Sequence, residues 1–308
     1  DGDGTWLSED RKVGLAHRRL SIIDLSDAAA QPMALDGGRL VISYNGEIYN
    51  FMALRRELEA RGRVFRSRSD TEVLLHLYDA FGPGMVKKLR GMFAFAIWDN
   101  HRQGLFLARD PFGIKPLYYA QTPGGFVFAS EPAALTASGL IKPALNLEAR
   151  DELLGLQFTT GAQTVLGGIS RLLPGETLIV EGGRIAERLH RPALPQGGID
   201  QATKTAALER LDRVLTDSVE MHQRSDVPYG MFLSGGIDSS VLLTLMSRLN
   251  KRPVRALTAG FSGTNVPDER QHARKVAGAL GADHIEVEFG PADFIALLPQ
   301  IASALDDP

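Results

Sequence analysis

Apolar and polar positions follow different patterns in the two halves of the sequence. From Leu15 to about Glu187, short apolar or alternating runs lie between turn-forming Gly, Pro, Asn and Asp residues, which predicts strands. Apolar residues recur at helical spacing in Phe51 to Arg61 and in Asp70 to Phe81. This half is therefore predicted to be a layered α+β domain. Its predicted strands are Arg39 to Tyr44, Met92 to Trp98, Leu105 to Arg109, Pro116 to Ala120, Gly125 to Ala129 and Glu176 to Val180.

From Ala206 onward, predicted helices and strands alternate strictly. Repeated βα units of this length predict parallel strands with right-handed crossovers, and so an α/β domain. A Pro-, Gly- and polar-rich segment predicts a linker at residues 191–205, between domains at 1–190 and 206–308. The predicted helices are Ala206 to His222, Ser239 to Asn250, Asp268 to Leu280 and Pro291 to Leu305, and the predicted strands are Pro228 to Leu233, Arg255 to Ala259 and His284 to Glu288.

The overall composition excludes several classes of protein. The 308 residues include 34 Lys and Arg against 37 Asp and Glu, a balance that gives no field to hold a nucleic acid or an anionic membrane surface. The sequence has no apolar run long enough for a membrane helix and its first residues do not resemble a signal peptide, so a cytoplasmic protein is predicted. It has no cysteine, which excludes disulfides, thiolate metal sites and a cysteine nucleophile within this chain.

A candidate phosphate-binding loop joins a predicted strand to the next helix. Gly235 and Gly236 allow the backbone to approach a ligand closely, and the amides of Ile237 to Ser240 lie in a first helical turn without intrahelical acceptors. Serine hydroxyls of the same loop add donors. Asp238 would repel a phosphate unless a divalent cation lay between them, so we assign it to Mg²⁺. The alternative is a tight turn whose aspartate favours a helix N-terminus.

The same loop carries a family resemblance. The segment SDVPYGMFLSGGIDSS, Ser225 to Ser240, resembles the pyrophosphate-binding loop of ATP pyrophosphatases in the form found in glutamine-hydrolysing asparagine synthetases. The resemblance implies a parallel-sheet, adenine nucleotide α-hydrolase-like domain that uses ATP and Mg²⁺ to adenylate a carboxylate and release pyrophosphate. The residues that it implies for ATP and pyrophosphate are Leu233, Ser234, Gly235, Gly236, Ile237, Asp238, Ser239, Ser240 and Ala259.

Six stretches of the first half resemble the class II glutamine amidotransferase domain of the same synthetases, and they occur in the same order. The resemblance implies an N-terminal-nucleophile-type αββα sandwich with a site for L-glutamine. The stretches are His17 to Met33, Tyr44 to Asn50, Ser69 to Tyr78, Gly91 to Asp99, Ala108 to Tyr119 and Phe128 to Leu135.

The resemblance also assigns roles that the residues alone leave open. Asn45 and Gly46 would form an oxyanion hole for the side-chain carbonyl of glutamine. Arg19 would bind the α-carboxylate of glutamine, and Asp70 its α-ammonium group. From the residues alone, the Asn-Gly pair also fits a turn at a strand end, Arg19 a surface charge and Asp70 a helix N-cap. The glutamine-binding residues implied are Arg19, Leu20, Ser21, Ile22, Ile23, Asn45, Gly46, Glu47 and Asp70.

The nucleophile of the resembled family is absent from this sequence. It is an N-terminal cysteine whose own α-amine is the general base, and this chain has no cysteine. We therefore expect the cysteine and its strand to lie upstream of Asp1, and we expect the chain as written not to hydrolyse glutamine. We also expect the second adenylate-binding segment of the family to lie beyond Pro308.

Together these features predict a glutamine-dependent asparagine synthetase with L-glutamine, L-aspartate and ATP as substrates and Mg²⁺ as cofactor. The reaction would pass through β-aspartyl-AMP, which ammonia from glutamine attacks. Two alternatives remain open: a related amidotransferase with a different carboxylate acceptor, and a cysteine-less homologue that binds glutamine or ATP without chemistry. The resemblance further implies a homodimer.

Overall fold

The chain forms two compact units that meet in the sequence between Gly197 and Gly198. The computed structural model describes residues 2–194, 197–198, 201–263 and 268–305. Residues 195, 196, 199 and 200 of the predicted linker lie outside the described residues, as do residues 1, 264–267 and 306–308. Of the helices in the described ranges, none is both long and apolar enough to span a membrane.

The first unit is built mainly from antiparallel strands. They are β1 (Gly2–Leu7), β2 (Gly14–Arg19), β3 (Met33–Leu35), β4 (Leu40–Ile48), β5 (Gly91–Asp99), β6 (Gly104–Arg109), β7 (Tyr118–Thr122), β8 (Gly125–Ala129), β9 (Ser170–Arg171), β10 (Glu176–Glu181) and β11 (Arg184–His190). Its α-helices are α1 (Phe51–Glu59), α2 (Asp70–Phe81), α3 (Pro132–Ala137) and α4 (Leu147–Leu156). The described strands form a large sheet in the order β11-β10-β6-β5-β4-β3, a smaller sheet in the order β8-β7-β9, and the hairpin β1-β2.

Neighbouring residues of the strands point into different apolar cores, and this alternation explains the layering of the first unit. In β5, Phe95 packs into a core with α1 and α2, whereas the next residue, Ala96, packs into a core with β7 and β8. In β7, Tyr119 faces this second core and Tyr118 faces a third, which includes Leu135 of α3. The layers are therefore helices, sheet, sheet and helix, and the predicted αββα sandwich is confirmed.

Several strands of the first unit lack the pattern that would predict them. The hairpin β1-β2 is rich in Gly and charged residues, and Leu15 is its buried residue. The edge strand β11 has one half-buried residue, Ile185, among exposed ones. Because neither segment alternates between apolar and polar positions, periodicity does not reveal it. The short elements β3, β9, α3 and α4 are missed in the same way.

The second unit has the alternating βα order predicted for it. Its elements are α5 (Lys204–His222), β12 (Met231–Phe232), α6 (Ile237–Leu249), β13 (Arg255–Phe261), α7 (Arg270–Leu280), β14 (Asp283–Phe289) and α8 (Pro291–Ala304). The strands pair in parallel in the order β12-β13-β14, which confirms the α/β prediction. Its core includes Leu243, Leu245, Ala256, Ala273 and Ala277.

The strand that leads into the candidate phosphate loop is shorter than predicted. Only Met231 and Phe232 of the predicted stretch pair as β12. Pro228 has no N–H to donate to a neighbouring strand, and Gly230 approaches the Arg255 carbonyl so closely that an added Cβ would lie 2.9 Å from its oxygen. Residues 228–230, at the start of the predicted strand, therefore lead into the sheet without pairing in it.

Asp110 is a buried carboxylate that fixes the connection after β6. Its relative exposure is 0%. Its two oxygens accept hydrogen bonds from the backbone N–H groups of Phe93, Phe112, Ile114 and Lys115 at 3.0 to 3.2 Å. These donors replace the water that a carboxylate loses on burial. The backbone up to Lys115 is thereby held against β5.

Asp110→Asn is expected to destabilise the first unit by about 2 to 4 kcal/mol, because an amide N–H₂ would face backbone donors that the carboxylate accepts from. The measurement is urea unfolding followed by tryptophan fluorescence, which reports on this unit because Trp6 and Trp98 both lie in it. The control is Asp151→Asn, since Asp151 is an exposed carboxylate paired with Arg150. Equal unfolding midpoints for Asp110→Asn and this control would contradict the expectation.

Candidate functional site

The first unit contains a cavity of about 1080 Å³. Its wall is formed by parts of β2, β4 and β5, by residues 115–117, and by the segment that runs from β8 into α3. Eight of the nine residues predicted for glutamine line this cavity, and Ser21 does not. The eight are Arg19, Leu20, Ile22, Ile23, Asn45, Gly46, Glu47 and Asp70.

Asn45 and Gly46 lie inside β4, so the interpretation of this pair as a turn at a strand end is wrong. The strand continues to Ile48, and the pair stands opposite Ala94 and Phe93 of β5. Gly46 has φ +153°, and an added Cβ would lie 2.2 Å from the carbonyl oxygen of Met92. Position 46 therefore admits only glycine, and the cavity wall at this point is bare backbone.

Asp70 is the first residue of α2, and the N-cap interpretation of it is wrong. The cap is Ser69, whose hydroxyl accepts a hydrogen bond from the Thr71 N–H at 3.1 Å. The Asp70 carboxylate instead accepts from the Tyr44 hydroxyl and from the Ile48 N–H, both at 2.9 Å. Burial raises the pKa of Asp70, and these two hydrogen bonds oppose that rise. The side chain is thus aimed at β4 and the cavity.

Glu47 is a second buried carboxylate in the same cavity. Burial, together with the charge of Asp70, raises its pKa to about 7, and the Lys115 ammonium group opposes that rise. Its Oε1 atom is buried and has no hydrogen-bond partner in the described part of the chain. A cation placed beside Glu47 and Asp70 would relieve both the repulsion and the missing contact.

Arg19 lies in the cavity wall at the end of β2. Its Nη2 donates to the carbonyl oxygens of Ile23 at 3.0 Å and Asp24 at 2.5 Å, and its Nη1 donates to that of Ser26 at 3.4 Å. The guanidinium group therefore holds the loop that includes Leu20 to Ile23. Because these three hydrogen bonds use part of the donor capacity of the guanidinium group, an anion in the cavity would bind to its remaining N–H groups.

The cavity also includes residues that the sequence did not single out. Lys115 lines it and is the cation whose charge acts on Glu47. The signal for Lys115 was available, since it lies in the stretch Ala108 to Tyr119 that resembles the amidotransferase domain. The segment Phe126 to Ala129 closes another side of the cavity, and its apolar residues predict a strand without predicting a ligand.

In the second unit, the candidate phosphate loop is held by its own hydroxyl groups and by Glu269, whose carboxylate accepts a hydrogen bond from the Gly235 N–H at 3.1 Å. Gly236 is the N-cap of α6, and its N–H donates to the Ser234 hydroxyl at 3.1 Å. The Ser234 and Ser239 hydroxyls lie 2.9 Å apart, and the Ser240 hydroxyl donates to the Gly236 carbonyl at 2.8 Å. The amides of Ile237 to Ser239 have no acceptor within their own helix, so they are available to phosphate oxygens. The Ser240 N–H, which was predicted to be free as well, donates to the Gly236 carbonyl at 3.3 Å.

Leu233 and Ala259, two of the residues that the family resemblance implies for ATP, lie near the carboxyl ends of neighbouring strands. Leu233 donates its N–H to the Leu257 carbonyl and accepts from the Thr258 hydroxyl, each at 2.7 Å. Ala259 is exposed in β13, opposite Val287 of β14. Both lie at the sheet edge where ligands of open α/β sheets bind.

Asp238 is exposed in the first turn of α6. Among the residues that the structure describes, no group of three His, Asp or Glu side chains could hold a metal ion. Mg²⁺ is commonly held by one or two carboxylates together with phosphate oxygens and water. A carboxylate such as that of Asp238 beside a phosphate loop therefore fits Mg²⁺ that is bound together with its nucleotide.

Two family models match different parts of the chain. Residues 1–190 match the family model described as a glutamine amidotransferase domain, and residues 210–308 match the one described as asparagine synthase. Asparagine synthetase [glutamine-hydrolyzing] 1 of Bacillus subtilis (strain 168) is 37% identical in an alignment of 310 residues that covers 100% of this chain and 48% of that protein.

Two further relatives show the same partial coverage. A putative asparagine synthetase of Mycobacterium bovis is 37% identical over 325 residues, with 100% of this chain and 49% of that protein covered. Amidase chry2 of Gibberella zeae is 32% identical over 301 residues, with 92% and 44% covered. This chain thus spans about half the length of the curated relatives it matches. Since the amidotransferase model alone covers more than half of the sequence, the chain belongs to the glutamine amidotransferase domain family, joined in one polypeptide to an asparagine synthase domain.

Proposed function

We propose that this chain is the glutamine-binding and ATP-binding part of a glutamine-dependent asparagine synthetase. The reaction would convert ATP, L-aspartate, L-glutamine and water into L-asparagine, L-glutamate, AMP and pyrophosphate through β-aspartyl-AMP. The observation that carries the proposal is the single cavity that brings Arg19, the Asn45-Gly46 pair, Glu47 and Asp70 together. A cytoplasmic location and a homodimer are part of the same proposal.

The charges of the cavity suit an α-amino acid. The α-ammonium group of L-glutamine would lie beside Glu47 and Asp70, and its α-carboxylate would lie on the cavity side of Arg19. The side-chain amide of Asn45 and the backbone at Gly46 would face the side-chain carbonyl of glutamine and stabilise negative charge that develops on its oxygen. Because the chain contains no cysteine, it would bind glutamine without hydrolysing it.

The phosphate loop of the second unit would hold the pyrophosphate part of ATP. Backbone amides from Ile237 to Ser239 would donate to phosphate oxygens at the helix N-terminus. Asp238 would hold Mg²⁺, which neutralises phosphate charge. The backbone at Leu233 and Ala259 would contact adenine. Release of pyrophosphate would leave the aspartyl adenylate. In the complete protein, ammonia from glutamine would attack the acyl carbon of this adenylate and displace AMP.

Asp70→Asn is expected to weaken the binding of L-glutamine by roughly 10- to 100-fold, because it removes a charged acceptor for the α-ammonium group. Calorimetric titration of the 308-residue chain measures this affinity directly. The control is Asp79→Asn, because Asp79 lies on the same helix but forms ion pairs with Arg39 and Arg63 outside the cavity. The assignment of Asp70 is overturned if both variants bind like the parent chain.

Glutamine binding is also expected to depend on the ionisation of Glu47, whose pKa is about 7 in the free chain. The α-ammonium group binds the ionised carboxylate, and acid protonates that carboxylate. Affinity should therefore fall roughly tenfold as the pH drops from 8 to 6, and binding at pH 7 should release about half a proton.

Titrations in buffers of different ionisation enthalpy measure this proton release. Glu47→Gln should abolish both the proton release and the pH dependence, because the amide does not titrate in this range. A parent chain that binds glutamine with the same affinity at pH 6 and pH 8 would show that Glu47 does not contact the ammonium group.

Asp238→Asn in the complete protein is expected to reduce aspartate-dependent exchange of labelled pyrophosphate into ATP by on the order of 10²-fold or more, since the Mg²⁺ contact is lost. Glutamine hydrolysis should be unchanged. The control is Asp212→Asn, which removes an exposed ion pair with Arg248. Loss of both activities would show that Asp238 has another role, and exchange with a different carboxylate but not with aspartate would identify a different acceptor.

A further inference from the structure

The loop that follows Arg19 contains a buried aspartate in an unusual backbone conformation. Asp24 has φ +57°, in the left-handed region that aspartate tolerates better than most residues. It is 9% exposed, and it is not part of the cavity wall. Such a backbone conformation persists only where the contacts of the residue hold it in place.

The Asp24 carboxylate joins two segments that are distant in the sequence. Its Oδ1 accepts from the Ser26 N–H at 3.1 Å and from the Ser26 hydroxyl at 2.6 Å. Its Oδ2 accepts from the Arg68 N–H at 2.6 Å. Its own carbonyl oxygen accepts from Nη2 of Arg19 at 2.5 Å. One residue therefore contacts the Arg19 side chain and the backbone two positions before Asp70.

The charge of Asp24 strengthens these contacts. Burial acts to raise its pKa, but the hydrogen bonds from Ser26 and from the Arg68 N–H outweigh burial and lower the pKa. The carboxylate is therefore ionised at neutral pH, and its hydrogen bonds are charge-assisted and stronger than neutral ones.

From these contacts we propose that Asp24 is a positioning residue that sets the distance between the two ends of the amino-acid site. Arg19 lies on β2 and Asp70 lies on α2, which are separate elements. Asp24 connects the loop after β2, which Arg19 holds, to Arg68, which lies two positions before Asp70. The inference rests on the proposed function, because the spacing matters only to a ligand that carries both an α-carboxylate and an α-ammonium group.

This requirement for both groups gives the proposal its test. Asp24→Asn retains the size of the side chain but replaces one accepting oxygen with an N–H₂ group. L-glutamine must reach Arg19 and Asp70 together, so its affinity should fall about tenfold, equivalent to about 1.4 kcal/mol. 4-Aminobutanamide lacks the α-carboxylate and glutaramate lacks the α-ammonium group. Each of these ligands contacts only Arg19 or only Asp70, so its binding does not depend on the distance between the two. The affinity of each should therefore change less than about twofold.

The experiment is a titration of the 308-residue chain with these three ligands, followed by NMR. The matched control is Asp27→Asn, the same substitution at an exposed position of the same segment, which should leave all three affinities unchanged. Ser26→Ala removes the hydroxyl bond to Asp24 and should repeat the pattern with a smaller loss, which keeps the test valid if Asp24→Asn does not fold.

The possible outcomes distinguish a failure of the positioning role of Asp24 from a failure of the proposed function. An equal loss for all three ligands, or no loss for L-glutamine, would overturn the positioning role of Asp24 while leaving the glutamine site in place. A parent chain that binds none of the three ligands would overturn the proposed function itself.

Discussion

Two buried carboxylates in the wall of one cavity, those of Glu47 and Asp70, determine which ligand charge the first unit favours. Both are less than a tenth exposed, and burial raises the pKa of each. Water cannot solvate them fully, and each disfavours ionisation of the other. A cationic group between them removes both costs, and the Arg19 guanidinium group on the same cavity offers a place for an anion. A zwitterionic amino acid satisfies both requirements, which is the physical basis for proposing glutamine.

The fold holds this charge arrangement by using one strand for several purposes. In β4, Asn45 and Glu47 line the cavity, while Tyr44 and Ile48 donate hydrogen bonds to Asp70 on α2. The strand therefore carries one carboxylate and fixes the other. Gly46 lies between Asn45 and Glu47 in the strand, at a position where a side chain would collide with β5. The same strand therefore also contributes bare backbone to the cavity wall. A displacement of β4 would therefore change the positions of Asn45, Gly46 and Glu47 and the hydrogen bonds of Asp70 together.

How much of this the sequence could predict depends on the range of the interaction involved. Half-buried elements such as α1, in which Leu54 and Leu58 are the buried residues, were predicted because local periodicity reports burial on one face. The Asn-Gly pair was open to interpretation as a turn, because local preference cannot show that β5 pairs with the strand beyond it. The contact of Asp24 with Arg68 joins distant positions and has no local signal. The proposed roles of Arg19 and Asp70 rest on family resemblance, because their residue types alone fit commoner uses.

The central claim is that the cavity binds L-glutamine with its ammonium group at the two carboxylates. The most direct measurement is a crystal structure of the chain with L-glutamine at saturating concentration. In that structure we expect the α-ammonium nitrogen of L-glutamine within hydrogen-bond distance of Glu47 and Asp70. We expect its α-carboxylate at Arg19 and its side-chain carbonyl oxygen at Asn45. Glutamine bound in the reverse orientation, or a cavity without glutamine at that concentration, would contradict it.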